Sequence, residues 1–453
     1  MKLLLLTPLV LGSWTEQEIA VFYIVLSVVA FTNLITEFLP GILNPVLVFF
    51  YSGVENLENI GKENHASNEP NWKGFGDTLH TLRASQWILM ILFVAVSTAI
   101  LLKSLVNQIG WEPFKNHYYE VPIIIALQII LQVSAAGYSG ALRAVNEVAA
   151  VNKNGAIFAL LQILGSALAV YCGGTLTNIL WIQLMVALVG RLALFRLYRS
   201  VLPDFPEVQF SKEILSFVLK PALKRLVGVL SVTGVRLLSP ALLAGILLSP
   251  QLILYSLMLA ILNTLISASN AFVLSQLPRL GSLYARGEVG RLRSLVFRRV
   301  CYSVSMFLVL AIPCVLSGWF YTNHFDSKLA PLSMVAGILA VFLFLALFLI
   351  NILSACYNVT NERPFYLRNL FSGLITLGLL YSLAQASFGG IVPVLLIVIA
   401  PQVLLVFPLL IQKMKMFLSL SDQYSFKNYI KVESARLLEE LRGYPKKGKK
   451  LYS

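Results

Sequence analysis

A single arginine, Arg236, stands inside an otherwise apolar run, between Gly234 and Pro240. A charge near the middle of a bilayer costs about 2.5–3.5 kcal/mol on insertion scales, so a guanidinium there should face a cavity or a partner. Its planar fork matches phosphate or carboxylate oxygens two at a time. The plainer alternatives are a structural bridge between helices, or a side chain that snorkels to an interface. Glu37 is the one acidic residue well inside an apolar run. It could carry a proton or pair with Arg236. A structural carboxylate beside a kink at Pro40, Gly41 and Pro45 would serve as well. Arg143, Arg225 and Arg279 lie where apolar runs end. Asn33, Asn44, Gln128, Gln132, Gln162, Asn263, Asn270 and Asn351 are amides within the runs; for most, hydrogen bonding between helices is the expected role.

Other chemistries find no footing. His65, His80, His117 and His324 are scattered, with no HExxH or paired-ligand spacing, so no metal site is expected. Cys172, Cys301, Cys314 and Cys356 show no CxxC spacing and read as small buried hydrophobes. No cofactor motif is present.

The elements that must hold these residues are membrane spans. Of the 453 residues, 58% are hydrophobic and only 12% charged, with a mean hydropathy of +0.79. Soluble domains are about 25% charged, so a water-soluble enzyme is excluded. Intrinsic disorder, which needs the opposite balance, is excluded too. A helix needs about 20 apolar residues to cross the hydrocarbon core. Runs of that kind lie near 19–48, 86–106, 120–142, 155–176, 179–198, 226–248, 251–275, 300–321, 331–353, 369–387 and 391–411. A further apolar piece, Leu3 to Trp14, is too short to cross. It follows Lys2 like a signal peptide, but Trp14-Thr15-Glu16-Gln17-Glu18 offers no small-residue cleavage site. It is therefore read as the end of a truncated first span.

Assigning alternate loops to opposite sides places 31 of the 35 Lys and Arg residues on one side and three (Lys103, Lys115, Lys328) on the other. Arg236 alone remains within a span. By the positive-inside rule both termini are cytoplasmic and the span number is even, which makes the short first piece a span. Trp14, Trp111, Trp181 and Trp319 fall at boundaries on the opposite side. The net charge of +14 is thus a topology signal, and no nucleic-acid partner is needed to explain it.

The expected architecture is all-α: about twelve transmembrane helices in two pseudo-symmetric six-helix lobes. The lobes are 1–198 and 226–411, separated by a basic cytoplasmic linker at 199–225 and followed by a basic tail at 412–453. Asn146-Glu147 and Asn361-Glu362 close corresponding spans of the two halves. Parallel repeats of this kind recur in secondary transporters. Within the tail, 422–442 reads as an amphipathic helix. It precedes Lys446-Lys447-Gly448-Lys449-Lys450, a segment suited to anionic membrane lipids.

The stretch Gly234 to Arg299 resembles the polysaccharide (O-antigen-type) flippases of the multidrug/oligosaccharidyl-lipid/polysaccharide exporter superfamily. The residues that carry the resemblance are Val235-Arg236-Leu237-Leu238, Leu254-Tyr255-Ser256-Leu257, Gln276-Leu277-Pro278-Arg279-Leu280-Gly281-Ser282-Leu283-Tyr284-Ala285-Arg286-Gly287-Glu288 and the basic run to Arg299. The twelve-span count, the central basic loop and the charge topology extend it over nearly the whole chain. Gly234 and Val235 stand where an acidic residue often precedes the Arg, and Phe49-Phe50-Tyr51 where a basic residue is common. The resemblance implies a transporter of the bacterial inner membrane that moves a polyprenyl-diphosphate-linked oligosaccharide between leaflets for surface polysaccharide synthesis. Lobes opening alternately to each side would carry it. Arg236, Arg143, Arg225 and Arg279 are then candidates to meet the diphosphate, and Glu37 a candidate for ion coupling. Other polysaccharide-assembly proteins are candidate partners.

A drug or cation antiporter of the same superfamily is the alternative; it would want more buried acids than Glu37. A membrane polymerase or glycosyltransferase would need a substantial catalytic loop or an Asp-x-Asp motif, and neither occurs.

Overall fold

The computed structural model describes residues 2–53, 69–203, 205, 208–276, 279–280, 283, 289–325, 328–357, 365–385 and 390–417. In some helical stretches, among them 35–45 and 217–223, only the backbone is described.

Among these residues the chain is mostly helical, with no strand. The helices are α1 (Lys2–Ser13), α2 (Glu16–Tyr51), α3 (Trp72–Ile109), α4 (Glu120–Ala144), α5 (Val148–Tyr171), α6 (Leu176–Val201), α7 (Lys212–Val229), α8 (Val235–Leu242), α9 (Ser249–Leu274), α10 (Val289–His324), α11 (Met334–Tyr357), α12 (Tyr366–Gln385) and α13 (Ile391–Phe417). A π-helical segment, Leu230–Gly234, joins α7 to α8. Ten helices are long and apolar enough to cross a membrane, and Leu226–Leu242 is a shorter apolar helix. The lipid-facing character is plain from side chains such as Leu168, Val309, Phe342 and Leu404, each more than 60% exposed. In water such exposure would be unfavourable; in hydrocarbon it costs nothing.

Helix starts follow ordinary capping rules. Thr15 and Glu18 form a reciprocal capping box at the head of α2. Asn71 caps α3 by accepting from the Gly74 amide at 2.9 Å, and Ser211 caps α7. α3 therefore begins at Trp72, fourteen residues before the expected span at 86. Lys73, Asp77, His80 and Arg83 make its first turns too polar for a hydropathy reading, although they are helical. The seventh expected span also differs. The helix ends at Leu242 and a turn takes the chain to Ser249, with Gly245 at φ +81°.

α1–α6 pack chiefly among themselves: α4 against α2, α3 and α6, and α5 against α6 and α1. α7–α13 do the same, with α11 against α13 and α10, α9 against α10, and α12 against α13 and α7. The two groups meet where α2 packs on α8 and α9, with α3 adding contacts to α7 and α8. Phe22, Tyr255, Phe307, Phe344 and Phe348 are the largest fully buried side chains of a core that runs through both groups. α13 continues to Phe417; the remainder of the expected tail, with the 422–442 helix, lies outside the described residues, as does the Asn361-Glu362 pair.

Candidate functional site

Alternation of consecutive spanning helices assigns the helix ends at 51, 72, 144, 148, 201, 212, 274, 289, 357, 366 and 417 to one side, the lysine- and arginine-rich side expected from the sequence. Positions along helices are given relative to it.

Arg236 lies on α8, where α8 packs on α2. It is 6% exposed, and its Nε and Nη1 are buried without a hydrogen-bond partner. Six residues separate it from Leu242, about 9 Å along the helix, so it sits nearer the Lys/Arg-poor face than the sequence suggested. Beside it Ser239 Oγ lies 2.6 Å from the Tyr255 hydroxyl and donates to the Arg236 carbonyl. The π segment one turn earlier rotates the helix face that follows it. It is held by α12: a Cβ at Gly373 would collide with the carbonyl oxygen of Ser231. Only glycine lets α12 approach the π segment this closely.

Two cavities of similar size lie in the two halves. The first, about 250 Å³, is formed by α7, the π segment, α11, α12 and α13. Its polar lining is Lys224, Thr233, Asn351, Ser354, Asn369 and Gln402. Lys224 Nζ stands 5.4 Å from the Tyr366 ring centre, and the Asn369 Oδ1 is buried without a partner. Val232 and Thr233 line this cavity; Arg236 follows on the same helix face one turn deeper and is not among the lining residues.

The second cavity, about 240 Å³, lies between α3, α4 and α6. It is lined by Arg83, Gln86, Trp87, Ser134, Tyr138 and Arg191, with Met90 and Val133. The Arg83 guanidinium stacks over Tyr138 at 4.8 Å and Tyr198 at 5.6 Å. Arg83 Nη2 and Gln86 Nε2 are buried donors with no partner. Gly137 makes the room: a Cβ there would stand 3.3 Å from Gln86 Oε1. Neither lining contains a carboxylate. Among the described residues no three His, Cys, Asp or Glu side chains gather as a metal site would require.

Each cavity has lining residues toward the basic end of the bundle: Tyr138 is six residues from the end of α4, and Ser354 three from the end of α11. At the opposite face the halves are tied together. Gln108, at the end of α3, donates to Ser249 Oγ at 3.1 Å and accepts from the Gly245 amide at 2.9 Å. Lys328 donates to the Trp14 carbonyl, and Trp14 Nε1 to Gly174 O. Just outside the spans on this face, burial first and the charge of Glu18 second hold the Tyr118 phenol above its ordinary range.

No protein-family model and no curated protein matches the chain. Solved structures do. A multidrug resistance MATE family transporter of the MOP superfamily, in an inward-facing conformation, is similar with a TM-score of 0.59 at 11% identity, covering 93% of this chain and 96% of its own. A MATE protein in its straight conformation is similar with a TM-score of 0.55 at 14% identity, covering 93% of each. The fold is that of the MATE transporters.

Of the expected site residues, Arg236 is buried on α8. Arg143 is exposed at the end of α4, and Arg279 is exposed after α9. Arg225 lies on α7 and Glu37 on α2, but their side chains, and with them the expected Glu37–Arg236 pairing, lie outside the described residues. Asn351 lines the cavity of the C-terminal half. Gln128 and Gln162 instead donate across helices, to Leu180 O and Gln183 O. Sequence reasoning missed Arg83, Arg191, Asn369 and Gln402. Arg83 was assigned to a loop because the true start of α3 is polar. The signal available was helical spacing: Arg83, Gln86, Trp87 and Met90 recur at three and four residues and share one face.

Proposed function

We propose that this protein is an alternating-access transporter of an anionic, polyprenyl-diphosphate-linked oligosaccharide in the bacterial inner membrane, with lobes 1–198 and 226–411 as the moving units and both termini cytoplasmic. The observation that carries the reading is Arg236: a guanidinium buried at the meeting of the halves with two nitrogens unpaired. An uncompensated buried charge is strongly destabilising, so a ligand that brings compensating oxygens is the economical reason to keep it. The cation-bearing lining of the C-terminal cavity, which has no carboxylate among the described residues, supports the same sign of cargo.

Geometry supports a sequence of events. In this reading the Gln108 and Lys328 ties hold the Lys/Arg-poor face shut, and the cargo enters the C-terminal cavity from the basic face. A headgroup entering there meets Lys224 and the amides first, and Arg143, Arg225 and Arg279 stand nearby as capture charges. Breaking the Gln108 tie would uncover Arg236 to the opposite side. Glu37 is placed on α2, the helix that faces α8, and could couple the movement to an ion.

A drug antiporter is the second reading, favoured by the fold likeness to a multidrug transporter. It predicts acids in the path. The deciding experiment is complementation of surface polysaccharide in a flippase-deficient strain. Arg236→Ala should abolish it at unchanged membrane abundance, while Arg236→Lys keeps a fraction. Full complementation by Arg236→Ala would remove the guanidinium from the transport path.

A further inference from the structure

The cavity of the N-terminal half has features that the cargo path does not use. Its lining residues come from α3, α4 and α6, all of the N-terminal half, whereas the halves meet chiefly where α2 packs on α8 and α9. Two arginines converge on it with no carboxylate in the lining, and two buried donors, Arg83 Nη2 and Gln86 Nε2, are unsatisfied. Buried donors left unpaired cost about 1–3 kcal/mol each, and a multi-oxygen anion would satisfy both. At about 240 Å³ the space suits a single headgroup; whole-ligand pockets run from about 300 to 1,000 Å³.

An apolar track leads out of it. Trp87 lines the cavity and is 54% exposed, and Ile91, one turn further along α3, is 67% exposed. On α4, Tyr138 and Ser134 line the cavity, and the same face continues through Leu127 and Ile123, both exposed. Met185 and Leu188 are exposed on α6. From Ser134, near the middle of α4, to Ile123, three residues from its Lys/Arg-poor end, is eleven residues, about 16 Å, a length that an acyl chain can follow.

We infer that this cavity and track form a binding site for an anionic glycerophospholipid, its phosphate held between Arg83 and Arg191 and an acyl chain laid along α3 and α4. Tyr138 and Tyr198 hold the Arg83 guanidinium flat, which fixes the direction of its fork toward the phosphate. The site stands whichever cargo crosses the membrane, so it does not rest on the transport reading.

The test is native mass spectrometry of the full-length protein released from micelles, with phosphatidylglycerol, phosphatidylcholine, polyprenyl phosphate and inorganic phosphate as probes. Phosphatidylglycerol should be retained about tenfold more than phosphatidylcholine, because the choline head brings a cation to two arginines. Arg83→Gln with Arg191→Gln should remove that preference. Arg191→Gln alone, which leaves the Arg83–tyrosine stack and the fold intact, should reduce it about threefold or more. Equal retention of the two phospholipids by the wild type, or an unchanged preference in Arg191→Gln, would overturn the site. Displacement of the lipid by inorganic phosphate at equal concentration would make it an ion site only. Tighter retention of polyprenyl phosphate than of phosphatidylglycerol would assign it to the cargo path instead.

Discussion

The cavities of the two halves are nearly equal, about 240 and 250 Å³, and each is walled by helices of one half. They differ in what they leave unsatisfied. Among the residues lining the N-terminal cavity the orphans are donors, Arg83 Nη2 and Gln86 Nε2; among those lining the C-terminal cavity the orphan is an acceptor, Asn369 Oδ1. The first therefore suits a group rich in lone pairs, such as a phosphate. The second, with Asn351, Gln402, Ser354 and Thr233 around it, suits hydroxyls that donate as well as accept. Two halves of similar architecture thus offer complementary chemistry. Along the chain Arg236 lies between Thr233, which lines the C-terminal cavity, and Gly245, whose amide donates to Gln108.

Four variants sharpen or break this contrast. The largest effect is expected from Gly373→Leu. A side chain there meets the Ser231 carbonyl, so α12 must leave the π segment. Overpacking of this kind costs about 1–3 kcal/mol. The thermal midpoint should fall and transport should be lost, while lipid retention at Arg83 and Arg191 persists. Loss of both functions together would mean the halves are not chemically independent. Next, Asn369→Leu with Asn351→Leu should raise the half-saturating concentration for a sugar-bearing cargo about tenfold, since each buried hydrogen bond contributes about 0.5–1.5 kcal/mol. The same pair should leave a sugar-free polyprenyl diphosphate unaffected. Equal effects on both cargoes would make the amides structural. Gly137→Leu should push Gln86 out of the N-terminal cavity and weaken phosphatidylglycerol retention with little effect on transport. The smallest effect is expected from Gln108→Ala, which removes two hydrogen bonds across the halves. It should shift the population toward states open at the Lys/Arg-poor face. Spin labels at Trp111 and Leu248, both exposed there, would report a larger fraction of long distances. An unchanged distribution would mean Gln108 is not a tie that closes this face.

Much of the fold is legible in the sequence because hydropathy and charge bias act through the solvent, independently of tertiary contacts. The span positions and the sidedness of the Lys and Arg residues follow from that. Arg236 is legible for the same reason: a charge in an apolar run is conspicuous. Three features are not. The first turns of α3 are amphipathic, so Lys73 to Arg83 read as loop although Asn71 caps a helix there. The π segment at Leu230–Gly234 has no composition signature; it forms where α12 crosses over Gly373. The amides are ambiguous alone. Gln128 satisfies a carbonyl on α6, whereas Asn351 and Gln402 line a cavity, and only the neighbouring helix decides which.

The sign of the cargo is the claim on which the transport reading depends, and proteoliposomes test it directly. Purified protein would be offered a fluorescent polyprenyl-diphosphate glycan and, separately, a lipophilic cationic dye, with wild type and Arg236→Ala side by side. The account predicts translocation of the anionic glycolipid by the wild type, at least tenfold less by Arg236→Ala, and no transport of the dye by either. Dye transport by the wild type with no movement of the glycolipid would contradict it.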